Sequence, residues 1–229
     1  MWLGERADPN WFPPVDQALR EPPGLLAAGG DLSPLRLLAA YERGVFPWYS
    51  AQQPILWWSP DPRMVLFPNE FKCSRSLGKT LRNGAFETRL DHAFSATIRA
   101  CAAPRRSGPD TWLNEDMIRS YDQLHELGFG HSVETYHEGV LVGGLYGIQL
   151  GQVFFGESMF SVERDASKIA LARLVEECRG RDIQLIDCQV ASAHLAGLGA
   201  REVSRNQFIG LLHQYARREP KGKWNAHSQ

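Results

Sequence analysis

The chain has 229 residues, and its 43% apolar content is enough to bury a sizeable core, as one domain or as a main domain with a smaller lobe. A formal net charge of −1 excludes a uniformly basic coat for nucleic acid while leaving room for local basic patches, and no DNA partner is expected. Cys73, Cys101, Cys178 and Cys188 are widely spaced and form no CxxC pair, so buried thiols in a reduced cytoplasmic protein are expected rather than disulfides or zinc. No apolar run is long enough to span a bilayer, and Glu5 and Asp8 stand where a signal peptide would be basic, so neither a membrane span nor a secretory leader is expected.

Residues 1–30 are rich in proline and glycine around Trp2, Trp11 and Phe12 and read as an irregular arm. Ser33-Pro34, a cap followed by proline at the first helical position, opens a helix over 34–43, with Leu37, Leu38 and Tyr41 on one face and Gly44 as its stop. Pro60 and Pro62 argue against a central strand among the aromatics of residues 45–68, leaving a short one at 64–67. A helix over 74–83 carries Arg75, Lys79 and Arg82 at helical spacing. Asp91 is placed to cap the next helix, whose apolar side is Phe94, Ile98 and Cys101. After a basic loop holding Arg105 and Arg106, Asn114 caps a helix that aligns Ile118, Tyr121 and His125.

Beyond Gly128 the period changes. Val133, Thr135 and His137 alternate with polar neighbours, Glu138-Gly139 signals a turn, and strands follow over 140–148 and, past Gly151, 152–156. Leu171, Leu174, Val175 and Cys178 mark a helix, 183–187 a short strand, and His194-Leu195 a brief helical segment. Ser204 and Gln207 form a capping box ahead of Phe208, Leu211, Leu212 and Tyr215. A meander, a helix, a strand and a helix predict an α+β domain over residues 71–229, with residues 1–70 as a small α/β lobe.

Two polar stretches interrupt this pattern. Phe155-Gly156-Glu157-Ser158-Met159-Phe160-Ser161 sets a carboxylate and a serine among aromatic and thioether groups at the end of a strand, and Asp187-Cys188-Gln189 closes another apolar run. Such a pairing suits an enzyme that holds an apolar group and orients a polar centre. Strand alternation puts Asp187 and Gln189 on one side of the chain, provided that the extended conformation persists through Cys188. Read alone, Asp187 serves equally well as a cap for a helix starting near Ala191, and Glu157 reads as a surface acid.

In order along nearly the whole chain, the blocks Gly29-Gly30-Asp31-Leu32, Gly44-Val45-Phe46-Pro47-Trp48-Tyr49, Leu56-Trp57-Trp58-Ser59-Pro60-Asp61-Pro62-Arg63, Thr111-Trp112-Leu113, Val153 to Ser161, Ala166-Ser167-Lys168 and Leu185 to Gln189 resemble the leucyl/phenylalanyl-tRNA–protein transferase family. The resemblance implies an N-acetyltransferase-like C-terminal domain and a cytoplasmic enzyme. Such an enzyme moves leucine or phenylalanine, and less well methionine, from aminoacyl-tRNA to the α-amine of proteins beginning with Arg or Lys. It further implies that Glu157 and the tryptophans line the aminoacyl-adenosine site and that Asp187 and Gln189 handle the attacking amine.

On that reading Trp48 and Trp112 stack on the terminal adenosine, with Glu157 and Ser158 beside it. Phe155, Met159, Phe160 and Met117 are candidates for a pocket that accepts both leucine and phenylalanine, although each is as readily a core residue. Arg75, Lys79, Arg82, Arg105 and Arg106 form the best phosphate-contacting set, although a basic stripe is ordinarily a solvated face. Glu115, Asp116, Glu134 and Glu138 all remain open as partners for the acceptor's Arg or Lys. Asp187 is expected to position the amine more than to act as a base. No metal or cofactor is expected, and a monomer is. The competing readings are an N-acyltransferase using a CoA thioester and an RNA-binding module without catalysis. The stretch Glu163 to Lys168 lacks the glycines that cradle a pyrophosphate, which argues against the first.

Overall fold

The structure is a computed structural model described for residues 1–4, 7–50, 52–103, 113–222 and 224. Two sheets organise it. The smaller contains β1 (Trp2–Leu3), β2 (Leu25–Gly29), β3 (Phe46–Pro47) and β4 (Leu56–Trp58) in the order β1-β2-β4-β3, with α1 (Pro34–Glu42) between β2 and β3. The arm expected over residues 1–30 is therefore partly strand: β1 runs parallel to β2 and β2 antiparallel to β4. Trp57 is fully buried there and donates from Nε1 to the carbonyl of Gly29 at 2.9 Å, which ties β4 to the end of β2.

The larger sheet has seven strands in the order β11-β5-β10-β9-β8-β7-β6. Its members are β5 (Arg63–Leu66), β6 (Phe86–Leu90), β7 (Gly130–His137), β8 (Val140–Leu150), β9 (Val153–Ser161), β10 (Leu185–Gln189) and β11 (Arg201–Val203). The helices are α2 (Arg75–Arg82), α3 (Phe94–Ala102), α4 (Glu115–Glu126), α5 (Ala166–Gly180), α6 (Ala193–Gly197) and α7 (Arg205–Tyr215). Among the described strands of this sheet, β9 and β10 pair in parallel and the remaining neighbours antiparallel. The chain is thus α+β with a mixed sheet. β5 lies inside this sheet despite Pro60 and Pro62, so sheet membership changes between Trp58 and Arg63, ahead of the boundary expected at residue 70.

Local chemistry accounts for most of these elements. Ser33, Ser74, Asn114, Ser192 and Ser204 each accept a backbone N–H at the start of their helices, and Ser204 with Gln207 completes a capping box. Glu138 and Gly139 both have positive φ, as a two-residue hairpin between β7 and β8 requires. Asp91 does not cap α3. Its carboxylate holds Ser132 N and His131 Nδ1, and the α3 start is served by Glu134 of β7, which accepts from the backbone of His92 and Ala93.

The sheet is covered on both faces. One core joins it to residues of α1, α3, α4 and α7, among them Tyr41, Ile98, Tyr121 and Phe208; the other joins it to α5 through Ile169, Leu171, Leu174 and Cys178. Gly143 of β8 lets α5 approach: a Cβ there would sit 2.5 Å from Cβ of Ala166. Gly143→Ala is accordingly expected to cost about 1–3 kcal/mol of stability, measured by urea denaturation, because helix and strand backbones would have to separate.

Candidate active site

The cleft begins where β9 and β10 part. Their parallel ladder runs from Val153↔Leu185 to Phe155↔Asp187 and stops. Just beyond, each strand holds one residue more than its antiparallel neighbour. In β9, Gly156 pairs with Gly147 and Ser158 with Tyr146, which leaves Glu157 as the extra residue. In β10, Asp187 pairs with Val65 and Gln189 with Met64, which leaves Cys188. Gln189 adopts φ 57°, so the extended conformation expected through Cys188 is broken. A Cβ on Gly147 would lie 2.2 Å from the carbonyl oxygen of Phe155, so the β9 bulge needs glycine opposite it.

Two recesses meet here. A cavity of about 280 Å³ is walled by Leu145, Met159, Leu171, Leu174, Ile186 and Leu195, with Glu157, Ser158, Asp187 and Gln189 on its polar side. A smaller one of about 120 Å³ is bounded by Phe46, Pro47 and Trp48 and shares Glu157, Gln189 and Val190 with the first. Trp48 is 44% exposed, tilted at 57° against Trp58 with ring centroids 5.9 Å apart. The amide nitrogen Nε2 of Gln189 is buried without a hydrogen-bond partner among the described residues.

Asp187 is fully buried and its carboxylate is already engaged. Arg63 donates to both of its oxygens, Nε to Oδ1 at 2.8 Å and Nη2 to Oδ2 at 2.7 Å, and Oδ1 also accepts from Gln189 N at 3.0 Å. Arg63 itself is sealed. Its guanidinium lies between the Phe46 and Phe208 rings, 4.8 and 4.5 Å from their centroids, and Nη1 reaches the Gly44 carbonyl at 3.1 Å. Asp187 does not cap a helix: α6 starts at Ala193 under Ser192.

Glu157 is held from above. Tyr41 of α1 donates to Oε1 and Tyr121 of α4 to Oε2, each at 2.8 Å, while the two phenol oxygens are 2.7 Å apart. Burial drives the carboxyl up to about pKa 7; the two phenol hydrogen bonds oppose that rise, Asp187 adds to it and Arg63 subtracts from it. Burial and the Glu157 charge push the Tyr41 and Tyr121 phenols well above their usual range.

The other expected residues fall in several places. Ser158 and Met159 line the cleft. Phe155 and Met117 are fully buried in the core, Phe155 against Tyr41 at 4.9 Å, and Phe160 packs on the same core, so Met159 is joined in the apolar wall by residues of β8, α5, β10 and α6. Arg75, Lys79 and Arg82 stand exposed on α2, with no ion pair among the described residues. Trp112, Arg105 and Arg106 lie outside the described residues. Glu134 is consumed by Ser132 and the start of α3.

Sequence reasoning missed Tyr41, Tyr121 and Arg63 as site residues. The available signal was chemical: a tyrosine within an apolar helical stripe must find a partner for its hydroxyl, and an arginine leading into an apolar strand needs an acid.

The family model for leucyl/phenylalanyl-tRNA protein transferase matches residues 65–213, and that for the N-terminal domain of the same family matches residues 30–61. The chain is 56% identical over 224 residues to the leucyl/phenylalanyl-tRNA–protein transferase of Nitrosospira multiformis, covering 97% of this chain and 95% of that one. It is 52% identical over 227 residues to the enzyme of that name from Chromobacterium violaceum, covering 99% and 96%. Among solved structures, a GCN5-related N-acetyltransferase from Kribbella flavida superimposes with a TM-score of 0.40 at 11% identity, covering 75% of this chain and 61% of that one, values too low to carry an argument.

Two outcomes follow from the buried charges. Arg63→Met strands the Asp187 carboxylate and is expected to cost about 3–5 kcal/mol in chemical denaturation, much of it regained in Arg63→Met/Asp187→Leu. For Glu157, whose folded pKa is raised from 4.5 to about 7, the folded state binds more protons than the unfolded one in that window. Its contribution is present in full below the lower value and lost as the pH rises through the upper one. Wild type should therefore lose thermal stability relative to Glu157→Gln as the pH is raised across that window.

Proposed function

The chain belongs to the leucyl/phenylalanyl-tRNA–protein transferase family, and from that premise we propose how its cleft moves an aminoacyl group from tRNA to the N-terminal α-amine of a protein beginning with Arg or Lys. The observation that carries the reading is the shared wall: Glu157 and Gln189 belong both to the apolar cavity and to the recess beside Trp48. Leucine or phenylalanine fills the first, the terminal adenosine of the tRNA rests against Trp48, and the ester joining them lies at the waist between Glu157 and Gln189. Charged tRNA as donor places the reaction in the cytoplasm. An N-acetyltransferase-like use of the sheet is supported by the parting of β9 and β10, which opens the cleft at the sheet centre.

The chemistry is aminolysis of an ester, downhill because an amide replaces an ester. An α-amine has a reference pKa of about 7.7–8.0, so a useful fraction is neutral near pH 7 and strong basic catalysis is unnecessary. Positioning carries the larger share, with a general ceiling of roughly 7–11 kcal/mol. Asp187, clamped by Arg63, fixes the backbone of Gln189 at its bulge, and the unpartnered Gln189 amide is left to hold the incoming amine or the ester carbonyl. The cavity walls are leucine, isoleucine and methionine, and apolar pockets separate neighbouring side chains by only about 1–3 kcal/mol, so methionine is a slower substrate. Arg75, Lys79 and Arg82 supply phosphate contacts that read no base.

Radiolabelled phenylalanyl-tRNA mixed with peptides beginning Arg, Lys or Ala should label the first two only. Label in none of them rejects the reading. Asp187→Asn should lower kcat by on the order of 100-fold while the KM for charged tRNA moves by only a few-fold, since Asp187 touches Gln189 rather than the nucleic acid; equal losses in both would remove it from the chemical step.

A further inference from the structure

The three groups above the cleft, two phenols and one carboxyl, contain an accounting problem. Tyr41 and Tyr121 bring two phenol protons, yet three short contacts join the two phenols and the Glu157 carboxyl, at 2.7, 2.8 and 2.8 Å. Each contact at such a distance needs a proton between its oxygens. Two protons serve two sides of the triangle, and an ionised Glu157 would leave the third as bare oxygen against oxygen inside the core. A proton on Glu157 completes the ring by reversing one of the two phenol–carboxyl bonds: the carboxyl donates to one phenol instead of accepting from it, that phenol donates to the other, and the second phenol donates back to the free carboxyl oxygen.

We infer that Glu157, Tyr41 and Tyr121 form a three-proton ring that acts as the general acid of the transfer, delivering a proton to the departing ribose oxygen. This rests on the proposed transfer reaction. When the neutral amine attacks, a C–N bond forms at the ester carbon and the nitrogen becomes cationic. As the C–O bond to the ribose breaks, the Glu157 proton passes to the leaving oxygen, which departs as a hydroxyl. The carboxylate left behind, still held by both phenols, takes the proton that the nitrogen sheds, so each turnover ends with the ring as it began.

The surroundings suit this task. The groups facing Glu157 are Tyr41 from α1, Tyr121 from α4, Tyr146 from β8, Asp187 from β10 and Arg63 from β5. Asp187 and Arg63 are spent on each other, so among the described residues that face Glu157 there is no unpaired cation to strip the carboxyl of its proton. Tyr146 packs edge-on against Tyr121 with centroids 5.5 Å apart and keeps the ring dry. A carboxyl that gains and loses its proton near neutrality fits a general acid working at physiological pH.

The test varies the leaving group. Wild type, Glu157→Gln and Tyr121→Phe are given an arginyl peptide with either 3′-O-phenylalanyl-adenosine, whose ribose oxygen needs a proton to leave, or phenylalanine p-nitrophenyl ester, whose phenolate departs unaided. In Glu157→Gln the ratio of kcat/KM for the nitrophenyl ester to that for the adenosine ester should rise on the order of 100-fold, the lower end of what general acids contribute. In Tyr121→Phe, which keeps the aromatic packing, it should rise on the order of 10-fold. Proportional loss on both donors in both variants overturns the inference, whereas transfer by wild type from neither donor sinks the parent reading instead.

Discussion

A guanidinium and a carboxylate, both withdrawn from water, hold the centre of this molecule in register. Arg63 sits where the small sheet hands over to the large one, and Asp187 at the last paired position of the parallel ladder. Removing two charges from water costs several kcal/mol each, so such a pair is poor value as a source of stability alone. What it provides is direction. The guanidinium is planar, sandwiched by Phe46 and Phe208, and engaged on three sides by Asp187 and the Gly44 carbonyl. It can satisfy those partners in one arrangement only, and that arrangement sets the end of α1, the turn into β3 and the bulge of β10 together.

The cleft inherits its asymmetry from this arrangement. On the β10 side, charge is neutralised and locked, and what faces the cavity is an amide with spare hydrogen-bonding capacity. On the β9 side, a single carboxyl is lifted by burial toward neutrality and surrounded by hydroxyls. Two acids lie close together without sharing a role, because one has a cation to itself and the other has only phenols. Both line the apolar cavity, one on each strand.

Local signals in the sequence carried far. Ser33-Pro34, Asn114 and the Ser204–Gln207 box each specify a helix start within a few residues, and the structure has all three. The Leu171–Leu174 stripe identified a buried helix face, part of which lines the cavity. The two polar stretches on β9 and β10 were legible as well. Their geometry was not. An alternating pattern counts every residue, and Glu157 and Cys188 are each one residue too many for the neighbouring strand, so the alternation that set Asp187 and Gln189 on one side of the chain slips there. Partners distant in sequence were equally invisible: Tyr41 meets Tyr121 across 80 positions and Arg63 meets Asp187 across 124. The arm over residues 1–30 hid two strands because proline and glycine dominate it, and β6 at the sheet edge has too little apolar alternation to announce itself.

The contribution of α1 to the cluster around Glu157 bears on how the two sheets depend on each other. Tyr41 arrives from the layer built around the small sheet, while its two companions belong to the large one. A fragment confined to the seven-stranded half would keep Glu157 and Gln189 yet forfeit one of the two phenols, the Phe46 lid on Arg63 and the indole wall at Trp48. The first sixty residues are therefore no detachable accessory: they furnish the roof of the cleft.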